Sequence, residues 1–463
     1  MLGIMARDFK QMYNDKLRSA AEVAKMVKPG NVIDMGMFNG KSVAFERELA
    51  ARKDELSDIY VYVAVSLPPI PEMLSKDPKG EVFTYIDYHF SPVSRYLQEV
   101  RGNVFYNPTQ FGESEGWFEM KAEEPDKIGT NLRDWTVYRT TPMDKDGNFN
   151  FGLQNGITQA QFITAQKRVV EICTEMPYCY GGARESINIA DVDFVIEEDS
   201  PIAEMPSAIP TDIDREIAKH VLEYIHNGDT IQLGIGGMPE ALGHIIAETD
   251  LKDLGGHTEM LGTSYKTMIE SGRMNNMKKA LDRGKTVFTF AAGTKELYQW
   301  MDHNTSLASY NVMYVNNPIN LSHLDNLKSI NSALEIDLYN QVSAESSGFK
   351  QISGNGGMLD FVLGSFYSQG GRSMICVPST HTDKAGEKIS NIVPGFQEGT
   401  IVTVPRQSCN IIITEYGSIS VKGLGTWERA EGIISLAHPD FRDDLIKAAQ
   451  VRKIWRRTNK IND

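Results

Sequence analysis

The chain repeats itself. Lys28–Gly36 reads KPGNVIDMG and Asn227–Gly234 reads NGDTIQLG, so that Gly30 and Gly36 recur 198 positions later as Gly228 and Gly234. Each copy runs as turn, short apolar strand and glycine turn, with helix-like sequence on either side. Two weaker echoes follow in the same order: Pro142–Asp146 with Ala333–Asp337, and Asp193–Glu197 with Asn410–Thr414. Repetition on this scale predicts an α/β protein of two related open domains with mainly parallel sheets, pseudo-duplicated, with its active site at the domain interface. A cleft between halves is a favoured place for a small-molecule site.

A chain of 463 residues has ample interior for two or three domains. Its net charge of −14 excludes general affinity for nucleic acid or anionic membrane, which needs clustered Lys and Arg. No apolar run approaches a membrane span, and Met1–Lys28 has no apolar core of a signal sequence. Cys173, Cys179, Cys376 and Cys409 lack zinc-site spacing and read as free thiols of a reducing compartment. These features predict a cytoplasmic protein.

Helices are expected at Ala20–Val27, Ser42–Leu56, Thr158–Lys167, Ile213–His226, Glu240–Ala247, Thr294–Met301 and Asp360–Ser368. Between them, runs rich in β-branched residues read as buried strands, the pattern of βαβ units. Among these are Asn31–Met35, Ile59–Ser66, Thr286–Ala291, Tyr310–Val315, Ser332–Asp337 and Ile401–Val404. Ser200–Thr211, with Pro201, Pro206 and Pro210, is the linker candidate. It divides the chain into an expected first domain, 1–205, and a second, 206–463.

Two glycine-rich turns stand before helix-like sequence in the second half. Gly234-Ile235-Gly236-Gly237-Met238-Pro239 follows an apolar strand, and Gly354-Asn355-Gly356-Gly357 precedes Met358–Phe361. Such turns let backbone approach a ligand closely, and helix-start N–H groups suit an anion. The dinucleotide fingerprint fails because Pro239 stands at its third glycine. Glu259, after a glycine pair and a polar step, reads either as a helix-start acid or as a carboxylate nucleophile towards an activated acyl group. Gly112–Gly116 matches the string G-x-S-x-G without a preceding buried strand, and reads as a loop. The nine histidines form no metal-ligand motif, so no metal is expected.

At these residues the chain resembles the acetyl-CoA hydrolase/transferase group of family I CoA-transferases, and within it the butyrate-type enzymes. The resemblance is carried by GIGGMPEAL at 234–242, GHTEML at 256–261, NSALEID at 331–337, QVSAESSG at 341–348 and QISGNGGMLDF at 351–361. The first half adds DKDGNFNFG at 144–152 and ADVDFVIE at 190–197. It implies a ping-pong exchange in which Glu259 takes the acyl group, then CoA as a glutamyl thioester. Gly234, Ile235, Gly236, Gly237, Met238, Leu334 and Gly357 would line the CoA site, with Lys384 near the CoA phosphates. The family usually has K-G-G there, and Ala385 departs from it. Met37 and Gly356 are the candidate oxyanion N–H donors. No permanently bound cofactor is implied: the CoA thioester is a substrate, and the other partner is a short-chain carboxylate. Butyryl-CoA:acetate exchange leads, with 4-hydroxybutyrate as acid or thioester hydrolysis as alternatives, and a homodimer or homotetramer as the assembly.

Overall fold

A computed structural model of the chain describes residues 8–123, 132–182, 184–234 and 236–456. Two compact units emerge. The first comprises Met1–Thr109, Glu113–Met205 and Phe288–Tyr314; the second comprises Gln110–Gly112, Pro206–Val287 and Val315–Asp463.

The first unit is built on seven strands: β1 (Val32–Met37), β2 (Ile59–Ala64), β3 (Phe83–Asp87), β4 (Val104–Tyr106), β5 (Trp135–Thr140), β6 (Lys167–Ile172) and β7 (Phe194–Ile196). Their spatial order is β4-β3-β2-β1-β5-β6-β7, parallel throughout. The chain winds outwards in both directions from β1. Ile33, Val61, Tyr85, Val137 and Val169 are wholly buried, as expected of parallel strands covered on both faces.

The second unit holds β8 (Thr230–Leu233), β9 (Gly255–Gly256), β10 (Leu327–Ser332), β11 (Arg372–Cys376), β12 (Ile411–Thr414) and β13 (Gly417–Ser420). The order is β9-β8-β10-β11-β12-β13, parallel except for the closing β12–β13 hairpin. The series β8-β10-β11-β12 repeats β1-β5-β6-β7 in order and direction, so the α/β class and the duplication both hold. In both copies the turn before the strand is left-handed, with φ 82° at Gly30 and 84° at Gly228. The second glycine pair diverges: Gly36 has φ 89°, while Gly234 is not left-handed and Gly236, at φ 120°, makes the turn instead.

Residues 200–211 carry no regular structure, and Thr211 then caps the helix Asp212–Leu222 through a capping box with Asp214. Several expectations need correction. Tyr310–Val315 is not a strand; Val312–Val315 is helical, and a short β-branched run does not distinguish the two by periodicity. Ile401–Val404 forms no strand beyond a single bridge from Val404 to Val342. Thr286–Ala291 breaks at Thr289 into Thr286–Phe288 and Phe290–Ala291. Ser332–Asp337 is the end of β10 followed by a separate strand, Glu335–Asp337, in another sheet. Gly112–Gly116 is not a loop: a 3-10 turn, Phe111–Glu113, runs into the helix Ser114–Glu123. Among the described residues no helix is long and apolar enough to cross a membrane.

Candidate active site

In open α/β sheets, ligands bind outside the carboxyl ends of the strands, where the winding direction reverses. In the second unit that reversal is at β8, between β9 and β10. Gly234 directly follows β8, Glu259 stands three residues beyond β9, and Leu334 two residues beyond β10. Three signatures distant in sequence are thus delivered to one edge by three adjacent parallel strands.

The segment bearing Glu259 is pinned along its length. The amide of His257 donates to Ile231 O at 3.1 Å and that of Thr258 to Val287 O at 2.9 Å. Thr258 Oγ1 donates to Leu233 O at 3.2 Å, tying the step before Glu259 to the residue before Gly234. The ammonium of Lys279, buried beneath, donates to Gly256 O at 2.9 Å and Lys285 O at 2.7 Å. Burial pushes this lysine down to about 7. His257 is fully buried, its Nε2 lies 2.9 Å from Val315 O, and burial lowers it to about 3. A neutral ring so placed fixes backbone and is not suited to proton transfer.

Glu259 starts no helix; it precedes the two-residue strand Met260–Leu261, and the next helix begins at Thr263. Its reading as a helix-start acid is therefore corrected. The residue is partly buried, and Asn316 Nδ2 donates to its Oε2 at 2.6 Å. The Gly357 amide is a second donor to the carboxylate. Desolvation, with the nearby charge of Asp360, outweighs both donors and raises Glu259 to about 7. A carboxylate so raised is a better nucleophile than an ordinary glutamate and is still about half ionised near neutrality.

Gly357 caps the helix Met358–Tyr367 at an ordinary φ of −98°, so its need for glycine is purely steric. Gly356 before it is left-handed at φ 50°. At the other turn the helix starts at Gly237 and runs to Glu248, with Met238 buried in its first turn. The Gly234 amide continues the ladder to Ile330 O at 3.1 Å. Ile235 lies outside the described residues. Leu334 is partly buried and its amide donates to Ser343 O at 2.8 Å. Lys384 is exposed at the tip of the hairpin formed by Thr380–Thr382 and Lys388–Ser390.

Met37, in the first unit, ends β1, the topological counterpart of β8. Its amide donates to Gln154 Oε1 at 3.3 Å, so this donor is already engaged. Buried Asp34 supports the same turn, accepting from the Gly36 amide at 3.1 Å, Gln161 Nε2 at 2.7 Å and Arg133 Nε at 3.2 Å.

Sequence reasoning passed over Asn316, Asp360, Gln110 and Lys279. Asp360 was visible inside the string QISGNGGMLDF without a role. Asn316 precedes Asn317-Pro318, which opens the helix Pro318–Ser322, and the Asn-Pro turn signal was its one mark. Among the described residues no group of three or more His, Cys, Asp or Glu is placed to hold a metal ion.

The chain belongs to the acetyl-CoA hydrolase/transferase family: residues 2–206 match its N-terminal domain and residues 293–449 its C-terminal domain. It is 41% identical to butyryl-CoA:acetate CoA-transferase of Anaerostipes caccae, over 98% of this chain and 100% of that one. It is 35% identical to 4-hydroxybutyrate coenzyme A transferase of Clostridium kluyveri, over 96% of this chain and all of the relative. The crystal structure of RipA from Yersinia pestis superposes with a TM-score of 0.87 at 31% identity, covering 97% of this chain and 100% of that one.

Proposed function

We propose that this protein is a CoA-transferase that moves CoA from a short-chain acyl-CoA to a carboxylate acceptor through a glutamyl-CoA thioester on Glu259, with butyryl-CoA and acetate as the working pair. The observation that carries the reading is the setting of Glu259: a partly buried carboxylate raised to about 7, gripped by Asn316 and Gly357 beside the glycine turn. Full-length similarity to the Anaerostipes caccae transferase supports the choice of substrates.

Glu259 Oε attacks the thioester carbonyl carbon; the C–S bond breaks and CoA leaves as thiolate with the electron pair. The resulting mixed anhydride keeps the thioester's activation. The thiolate then attacks Cδ of Glu259, and the bond from Cδ to the bridging oxygen breaks, so that this oxygen and its electron pair leave with the acyl group as the first carboxylate. Oxygen on Glu259 carries the developing charge in that step, and Asn316 Nδ2 and the Gly357 amide already point at it, as preorganised donors should. The acceptor carboxylate attacks the glutamyl thioester and the same steps run in reverse. No proton is gained or lost in the cycle, so no general acid or base is required.

We read residues 1–205 and 206–463 as the two related domains, the second bearing the nucleophile. Main chain at 234–238, Leu334 and Gly357 would contact CoA, with Lys384 near its phosphates. A cytoplasmic homodimer or homotetramer fits this reading. The test is covalent. Incubation with butyryl-CoA, then hydroxylamine or borohydride trapping and peptide mass analysis, labels Glu259; a label elsewhere overturns the assignment. The alternative, hydrolysis on the same site, predicts CoA release without added carboxylate. A panel of acetate, butyrate and 4-hydroxybutyrate as acceptors separates these cases.

A further inference from the structure

Behind Glu259 stands a second acid that the reaction scheme does not use. Asp360 occupies the first turn of the helix Met358–Tyr367, where the helix dipole favours negative charge. It is buried at 3% exposure. Gln110 Nε2 donates to its Oδ1 at 2.6 Å, and the amide of Gly112 to its Oδ2 at 2.9 Å. The segment Gln110–Gly112 lies so close that a β-carbon on Gly112 would fall 2.8 Å from Oδ2. This is the first glycine of the G-x-S-x-G string, and its close approach to Asp360 gives that glycine a steric reason.

Asn316 lies between the two acids. Its Nδ2 is 2.6 Å from Glu259 Oε2 and 3.5 Å from Asp360 Oδ2, whereas its Oδ1 is buried without a hydrogen-bond partner. Turning the carboxamide over would place Oδ1 against two carboxylates. One of those carboxylates disappears during turnover, because Glu259 becomes an uncharged anhydride or thioester. Asp360 stays.

We propose that Asp360 is a positioning residue for CoA transfer: its carboxylate, anchored by Gln110 and Gly112, keeps the Asn316 amide N–H aimed at Glu259 while that glutamate is acylated. The inference rests on the transferase reading above. Asp360 is also the charged group bearing on Glu259, since nearby His257 is neutral and faces Val315 O. Its removal therefore also shifts the pH at which Glu259 ionises.

The experiment uses the full-length protein, after wild type has been shown to transfer CoA and to label Glu259; failure at that stage rejects the transferase reading and not this one. Steady-state rates are then measured against pH for Asp360→Asn, Asn316→Ala and the double variant. Asp360→Asn should lower kcat about tenfold with donor KM within about twofold, and move the rising limb of the pH profile to lower pH. In the Asn316→Ala background the same change should cost less than about twofold. Wild-type kcat and pH midpoint in Asp360→Asn, or effects that multiply independently, would overturn the proposal. Should Asp360→Asn fail to fold, Gln110→Leu keeps the charge and removes one anchor. It must then lower kcat with Asn316 present and not in Asn316→Ala; no loss with Asn316 present, or the same fold loss in both backgrounds, overturns the proposal.

Discussion

A β-carbon on Gly357 would stand 2.2 Å from Oε2 of Glu259 and 2.0 Å from Nδ2 of Asn316. The backbone there is ordinary, so a larger residue would be excluded by the Glu259 and Asn316 side chains and not by strain. Gly357→Ala should therefore fold and fail. Displacing Glu259 by about an ångström costs on the order of a hundredfold in kcat, while circular dichroism and melting temperature should stay near wild type. An alanine variant with full kcat would show that Glu259 is not where the reaction needs it.

Shortening Glu259, the proposed nucleophile, tests the same geometry from the other side. Glu259→Asp withdraws the carboxylate by one methylene and should lose on the order of a hundredfold in activity. Glu259→Gln should abolish the covalent label together with turnover. Residual transfer near the wild-type rate in the Gln variant, read from product analysis, would require another nucleophile.

The raised Glu259 has a consequence for pH. Only its ionised form attacks, so the acylation half-reaction should rise with pH to a midpoint near 7 and then level off. Stability moves the opposite way. A folded-state value above the unfolded one means that the folded protein favours the neutral acid. The contribution is complete below about 4.5 and is lost as pH rises through about 7, a swing of roughly 3 kcal/mol at most. Glu259→Gln removes this liability. Its melting temperature should match wild type near pH 4 and exceed it increasingly towards pH 8; a constant difference across that range would count against a raised Glu259.

Lys279→Met removes the ammonium that donates to the buried Gly256 O and to the partly buried Lys285 O. A buried acceptor deprived of its donor, here Gly256 O, costs about 1–3 kcal/mol. Urea unfolding should show a loss of that order, and kcat should fall more than KM because the loosened strand leads to Glu259. Unchanged unfolding midpoints would mean that water replaces the ammonium at both carbonyls.

Particular residues show how far the fold is legible in the sequence. The echo between residues 142–146 and 333–337 is real but offset by two. Asp144 Oδ1 accepts from the amides of Asp146 and Asn148, and Asp337 Oδ1 from those of Tyr339 and Gln341, all at 2.8–2.9 Å. Gly147 and Asn340 occupy the matching left-handed positions, at φ 81° and 64°. The turn keeps its form while its letters change, because asparagine adopts φ > 0 more readily than most residues with a side chain. String comparison aligned the letters; hydrogen bonding aligns the structure.

The amino-acid sequence alone determined what depends on neighbours along the chain: the paired strand–turn units, the parallel α/β class, the glycine turns and the short string around Glu259. Apolar runs, glycines and caps act within a few residues, so they can be read in order. Only the tertiary structure decided that Asn316 would grip Glu259, that Asp360 would stand behind it, and that Gly112, 147 positions before Glu259, would brace that second acid. Those partners are joined by parallel strands and their crossovers, whose connections are long, and no local pattern records which distant side chain a buried carboxylate will meet.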